Sequence, residues 1–293
     1  MPQSVAQQLV FGVLVGAIYG LGAVGLSLVF GVLKFLNVAH GELLMLGGYA
    51  TFWIFTLYGV DPFVALPLVM ILLLLAGAAL YRGLFVHVVK LTEEIKIKNS
   101  LLIGFGLSLV LQNVAVRLWT ANERGVTTSY SGLAVTFLGV RFPIVRLGAL
   151  AIALVTFLVL HLFLQRTYTG KAIRATVEDW QAATLMGIDI HRVHLLSFAL
   201  GSALAGMAGT LVSVGYSISP GMGLHWTLKA LIVVVLGGLG SIVGTFAGGI
   251  MLGVTESASA LLLGGTYRDS VGLLLFILVL IFRPQGLFGE KEG

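Results

Sequence analysis

Cysteine is absent from the 293 residues, which excludes disulfides, thiolate nucleophiles, zinc–thiolate sites and iron–sulfur clusters. Charge is nearly as scarce. Asp, Glu, Lys and Arg make up 10% of the chain, against roughly 25% in an average soluble domain. Proline occurs only 6 times. With 58% of the residues hydrophobic, too little polar material remains to cover a water-facing surface of this size, and a soluble fold is excluded. The net charge of +5 does not point to nucleic acid, because the 17 Lys and Arg are scattered rather than clustered. The opening stretch from Met1 to Gln8 has no positive n-region and no cleavage site, so no removable signal peptide is expected.

What the chain has in abundance is apolar length and glycine, of which there are 39 residues. A bilayer core of about 30 Å takes roughly 20 apolar residues per helical crossing. Runs of that kind cover 8–32, 37–58, 63–86, 99–119, 144–165 and 193–216, followed by an apolar stretch at 227–263 and a short last span at 270–283. The expectation is an all-α polytopic membrane bundle of about eight or nine spans, one transmembrane domain over 1–293. Orientation follows from the charges. With the N-terminus outside and the 166–192 loop inside, Lys34, Arg82, Lys90, Lys96, Lys98, Arg166, Lys171, Arg174, Arg192, Arg283 and Lys291 lie inward. Arg117, Arg124, Arg141, Arg146 and Arg268 lie outward, the smaller group.

Parity makes 227–263 unusual. The loop before it falls outside and the C-terminus inside, so the chain turns back once near Gly237, Gly238 and Gly240. Residues 228–237 are too few to cross as a helix, which predicts a broken or re-entrant segment at 227–241 followed by a helix at 242–263. Irregular backbone at that depth needs surrounding protein or a water-filled cavity, and it commonly marks a transport pathway. A tight glycine-rich helical hairpin with no transport role fits the same residues. Small residues at four-residue spacing (Gly12, Gly16, Gly20; Gly244, Gly248; Gly249, Gly253) predict close backbone packing.

The 166–192 loop carries a design of its own. Thr176-Val-Glu-Asp179 reads as a capping box that opens a helix of about ten residues, with Glu178 and Asp179 at its positive end. Gly187 ends it in the left-handed conformation a helix terminus favours. Trp180 and Met186 are available for an apolar contact. So short a helix is marginal in water and something must hold it. Two partners fit: the headgroup layer, or a cytoplasmic protein that docks on it.

Ionisable and amide side chains inside spans cost energy and usually face a cavity or a partner. The candidates for a pathway or gate are Asn37, His40, Glu42, Gln112, Asn113, Lys229 and Glu256, with the turn glycines Gly237, Gly238 and Gly240. Each fits equally a satisfied polar group that fixes helix packing, with His40 and Glu42 near the inner interface. An ion pair between Glu256 and Lys229 would hold the segment between them. There is no zinc-protease pattern, no nucleophile elbow and no Walker sequence. No catalytic residues and no metal site are expected, and the energy must come from another subunit or an ion gradient.

The loop Gly170-Lys-Ala-Ile-Arg-Ala-Thr-Val-Glu-Asp-Trp-Gln-Ala-Ala-Thr-Leu-Met-Gly-Ile-Asp189 resembles the coupling loop of ABC importer permeases of the branched-chain amino acid (LivH/LivM) family. Asn37-Val-Ala-His-Gly-Glu42, Leu111-Gln-Asn113, Lys229 through Gly244 and Arg283-Pro-Gln-Gly-Leu-Phe288 resemble it too, in the family's order and closest to the LivH type. Tyr81-Arg-Gly-Leu84 departs from it, lacking the proline often found after that arginine. The resemblance implies one channel half in a prokaryotic inner membrane, surrounded by lipid. It would pair with a second permease (LivM-like, or a second copy), two cytoplasmic ATPases and an extracytoplasmic binding protein, with ATP and Mg held by the ATPases and no cofactor by this chain. It makes Gly170, Arg174, Ala175, Glu178, Asp179, Ala182, Ala183 and Gly187 the ATPase-docking residues. The implied cargo is leucine, isoleucine and valine, or in relatives urea, amides, other amino acids or aromatic acids. The competing readings are a stand-alone secondary transporter or channel, and, more remotely, a membrane-embedded enzyme.

Overall fold

The computed structural model describes residues 2–89, 91–137, 139–283 and 285–288. Lys90, Lys291 and Pro284, used above, lie outside them. The helices run in the order α1 (Pro2–Leu33), α2 (His40–Tyr58), α3 (Pro62–Leu80), α4 (Val86–Val88), α5 (Glu93–Trp119) and α6 (Ile144–Arg166). They continue with α7 (Tyr168–Glu178), α8 (Trp180–Leu185), α9 (Ile190–Gly215), α10 (Met222–Gly237), α11 (Ile242–Leu262) and α12 (Arg268–Phe282). A π-helical turn at Tyr81–Phe85 joins α3 to α4. Between α5 and α6 lies an antiparallel hairpin of β1 (Ala134–Phe137) and β2 (Val140–Pro143). Seven helical stretches among the described residues are long and apolar enough to cross a membrane, and α10 is a shorter apolar helix. The chain is a multi-pass helical membrane protein, as expected.

α1 and α9 are the interior helices, while α5 and α12 are peripheral. The tightest seam joins α1 to α11. Gly12, Gly16 and Gly20 lie against the backbone of Val254, Ile250 and Phe246, with Gly249 and Gly253 facing back. A side chain at any of these positions would run into the opposing backbone, so the small-residue stripes are the contact itself. Gly244 and Gly248 make the equivalent seam with Gly237 and Val233 of α10.

The segment expected to be irregular, 227–241, is helical as far as Gly237, because α10 begins upstream at Met222. The reversal is confined to Gly238–Ser241, where Gly238 and Gly240 take φ of +99° and +85°. Irregular backbone at depth occurs instead at 34–39 and 216–221. His40, the first residue of α2, donates from Nε2 to Gly22 O at 2.8 Å. Gly22 and the end of α1 at Leu33 are about 16 Å apart at 1.5 Å per residue, so α2 starts well back along α1, about half the thickness of a 30 Å bilayer core from that helix's end. The connector climbs back along α1 from Lys34, whose φ is +55°, and Asn37 Oδ1 accepts from Ala39 N at 3.1 Å to steer it into α2. On the other side, 216–221 descends past Gly48, with Ile218 fully buried and bridged to Arg124, and delivers the start of α10 to the start of α2.

One end of the bundle carries α7, α8 and the 238–241 turn, which packs beside Gly31 at the end of α1. The other carries the hairpin, tied to α1 where Gln7 bonds the backbone of Arg141 at 2.6 and 2.7 Å. There Tyr130 donates to Asp61 Oδ2 at 2.6 Å, while Asp61 Oδ1 accepts from Phe63 N and caps α3. Burial and that hydrogen bond push the Tyr130 phenol up to about 12.

Candidate functional site

The candidate residues separate into three places. The first is a buried charge cluster around Glu256 on α11, which is fully buried. Its carboxylate takes Lys229 of α10, Arg268 Nε at 3.0 Å and the Tyr19 hydroxyl at 3.1 Å. Lys229 also bonds Asp269 Oδ1 at 2.8 Å, and its ammonium stands 5.2 Å from the centre of the Tyr19 ring. The expected Lys229–Glu256 pair is present, but it is half of a neutral group of two cations and two carboxylates. Buried ions are tolerated when every partner is charged or hydrogen-bonded, and here they stitch α1, α10, α11 and α12 together. Arg268 and Asp269 were missed as members. The available signal was a charged pair opening the last span.

The second place is the junction where α2 and α10 start. Glu42, in the first turn of α2, is 1% exposed. Ser108 of α5 donates to its Oε1 at 2.9 Å, and its Oε2 has no hydrogen-bond partner among the described residues. The carboxylate lies over Gly223, filling the space a Cβ there would need. Gly221, the N-cap of α10, provides no side-chain cap, so Glu42 stands at the positive end of an uncapped helix. Thr227 locks the two starts together, accepting from Gly41 N at 2.9 Å and donating to Val38 O at 3.0 Å.

The other pathway candidates fall away from this junction or support it. His40 and Asn37 make backbone contacts that position α2. Gln112 lies beside Gly221. Asn113 is exposed and bonds Leu109 O of its own helix at 2.7 Å, so it does not join. Gly237, Gly238 and Gly240 build the hairpin turn at the far end.

The third place is the α7–α8 platform, where the expected capping box is not formed. Thr176 lies inside α7 and its Oγ1 bonds back to Ala172 O at 2.8 Å, because the helix starts eight residues earlier at Tyr168 with Thr167 as its cap. Glu178 is consequently the last residue of α7, not the first turn of a new helix. Asp179 breaks the run and caps α8, its Oδ1 accepting from Gln181 N and Ala182 N at 2.8 and 3.0 Å. Gly187 closes α8 with φ +82°, as expected. Gly170 and Ala183 are buried: Gly170 lets α7 pack back onto the last turn of α6, and Ala183 seats α8. Arg174, Glu178, Asp179, Ala182 and Gly187 are exposed, and Ala175 is half-buried. The largest exposed groups are Leu185 (88%), Met186 (84%) and Tyr168 (82%), with Trp180 also exposed. Tyr168 and Leu185 were missed, since nothing in the sequence says which face of so short an element is held. A cavity of about 710 Å³ lies behind α8, between Trp180, Thr184, His191 and His194.

Comparison with known proteins bears on the chain as a whole. The family described as "Branched-chain amino acid transport system / permease component" matches residues 8–282. The chain is 36% identical to the high-affinity branched-chain amino acid transport permease BraD of Pseudomonas aeruginosa, over 98% of this chain and 96% of that one. It is 33% identical to LivH of Escherichia coli K12 over the same shares, and 28% identical to LivM of that strain over 92% and 67%. Among solved structures it resembles PsaBC from Streptococcus pneumoniae, in complex with Fab, with a TM-score of 0.50, 14% identity, and 96% and 92% of the two chains covered. That last likeness concerns the fold.

Proposed function

The chain belongs to the family of permease components of branched-chain amino acid transport systems, and from that premise we propose that it is one membrane half of an ATP-driven importer of leucine, isoleucine and valine. The substrate reading rests on the names of its relatives. In this reading ATP and Mg are held by two cytoplasmic ATPase partners, in keeping with the lack of a Walker sequence in this chain. A second permease, LivM-like or another copy, completes the pathway, and an extracytoplasmic binding protein delivers the solute. The N-terminus lies outside and the C-terminus in the cytoplasm of a prokaryotic inner membrane, which puts α7 and α8 on the side of the ATPases.

The observation that carries the docking role is the exposed apolar tip of α8. Leu185 and Met186 stand out on a helix whose own seat, Ala183, is buried. Large apolar groups presented to water on a capped, anchored element mark a protein contact rather than a surface. Closure of the ATPases then moves α8, which the cavity behind it leaves room to do. Co-purification with the neighbouring ATPases tests this. Leu185→Glu with Met186→Glu is expected to lose the ATPases while the permease itself stays folded. Full recovery of the ATPases with that variant removes the docking role from α8.

A further inference from the structure

We propose that Glu42 is the interior receptor for the cationic ammonium group of the transported solute, exposed when α5 moves off the junction of α2 and α10. The inference rests on the importer reading and deepens it.

Three observations separate Glu42 from an ordinary structural carboxylate. Asp61, Asp179 and Asp189 each stand at a helix start and each accepts from a first-turn backbone N–H. Glu42 also stands at a helix start, that of α10, yet Oε2 bonds none of its N–H groups. Glu256 is as deeply buried and is saturated by two cations and a phenol. None of the ion pairs described includes Glu42. A carboxylate kept in the membrane interior with one neutral hydrogen bond is costly unless something else completes it. The N-terminal turn of α10 faces the carboxylate without satisfying Oε2. A primary ammonium does satisfy it, being a compact cation with up to three donors and no acceptor.

The route in lies along α5. The fully buried residues of that helix are small, Ser100, Gly104, Ser108 and Ala115, with Ile103, Leu107 and Trp119 half-buried against the core beside them. Gly104 rests on Val38 and Ser108 on Glu42, so the same stripe covers both the connector and the carboxylate. A displacement of α5 breaks one hydrogen bond to Glu42 and uncovers the free oxygen.

The test uses the assembled complex with its ATPases, in liposomes for uptake and in nanodiscs for binding. In the wild-type complex without binding protein, radiolabelled leucine is competed with isoamylamine, which keeps the ammonium and lacks the carboxylate, and with isocaproate, which does the reverse. Isoamylamine is expected to displace leucine and isocaproate is not. Glu42→Gln is expected to lower leucine uptake about 10- to 100-fold, the loss of one charge-assisted hydrogen bond, while ATPase stimulation by the loaded binding protein persists. Uptake by Glu42→Gln within about twofold of wild type overturns the inference. So does displacement by isocaproate as strong as by isoamylamine, or a wild-type complex that retains no leucine; either leaves Glu42 a helix cap or a proton site. The competition on wild-type protein can still overturn the inference if the variant does not assemble. A wild-type complex that imports no branched-chain amino acid with ATP and binding protein overturns the importer reading itself, whereas normal import by both proteins overturns the role of Glu42 alone.

Discussion

Glu256 and Glu42 are both glutamates buried among helices, and their surroundings are opposite. Glu256 is closed by Lys229, Arg268 and Tyr19, with Asp269 balancing the second cation. Glu42 has one serine and an open oxygen. The first arrangement resembles a rivet. Every charge is answered within the chain, and no ligand is needed to complete it. The second is unfinished in the same chain and at comparable burial. The contrast teaches that burial by itself does not separate the two glutamates, whereas the partners each one meets do.

The comparison is broken most directly at Glu256. Glu256→Gln leaves Arg268 without a carboxylate and Lys229 with only Asp269, and removing one partner from a buried ion group costs about 3–5 kcal/mol. Loss of folded protein, or a large fall in melting temperature in detergent, is expected. A variant of normal stability and uptake would mean that the cluster is a bystander. Gly223→Ala comes next, because the new Cβ would fall on the Glu42 carboxylate. Overpacking of this kind costs about 1–3 kcal/mol, read as a lower melting temperature together with lost uptake. Glu42→Gln sharpens the contrast from the other side. It removes a charge that no ion pair among the described residues answers, so stability should change by less than about 1 kcal/mol even though transport falls, the reverse of the ranking at Glu256. Equal destabilisation at the two glutamates would erase the distinction between them.

Asp61 provides the reference from the solvent-side end. Tyr130→Phe removes its phenol hydrogen bond and is expected to cost about 1 kcal/mol in thermal unfolding. The pH dependence follows from the raised phenol. Its pKa is pushed from 10.0 to about 12, so the neutral form is favoured in the fold. That stabilisation is complete below a pH of about 10 and is lost as pH rises through about 12, so the difference between wild type and Tyr130→Phe should shrink only in that window.

Much of this was legible in the sequence, though unevenly. The long apolar helices and the small-residue stripes came from spacing alone, because hydropathy and small-residue period are local properties, while the pairing of α1 with α11 came only from the structure. The pairing of Lys229 with Glu256 was legible because two opposite charges in one apolar region have little else to meet. The start of α10 was misplaced by several residues: Thr227 and Trp226 look like loop residues until Val38, Gly41 and Tyr19 are seen to receive them. The capping box at Thr176 was a sound local pattern overridden by a helix that begins upstream, where Gly170 allows α7 to pack on α6.

By itself the sequence determined that the chain lives in a membrane and that its helices pack through glycine. Those follow from composition and period. Only the tertiary structure decided the depth at which α2 and α10 begin, and so which buried glutamate is answered and which is open. Tyr19 and Glu256 are 237 residues apart, and Glu42 and Ser108 are 66 apart. Which charges meet over such separations is set by how the helices stack, and no local pattern encodes that.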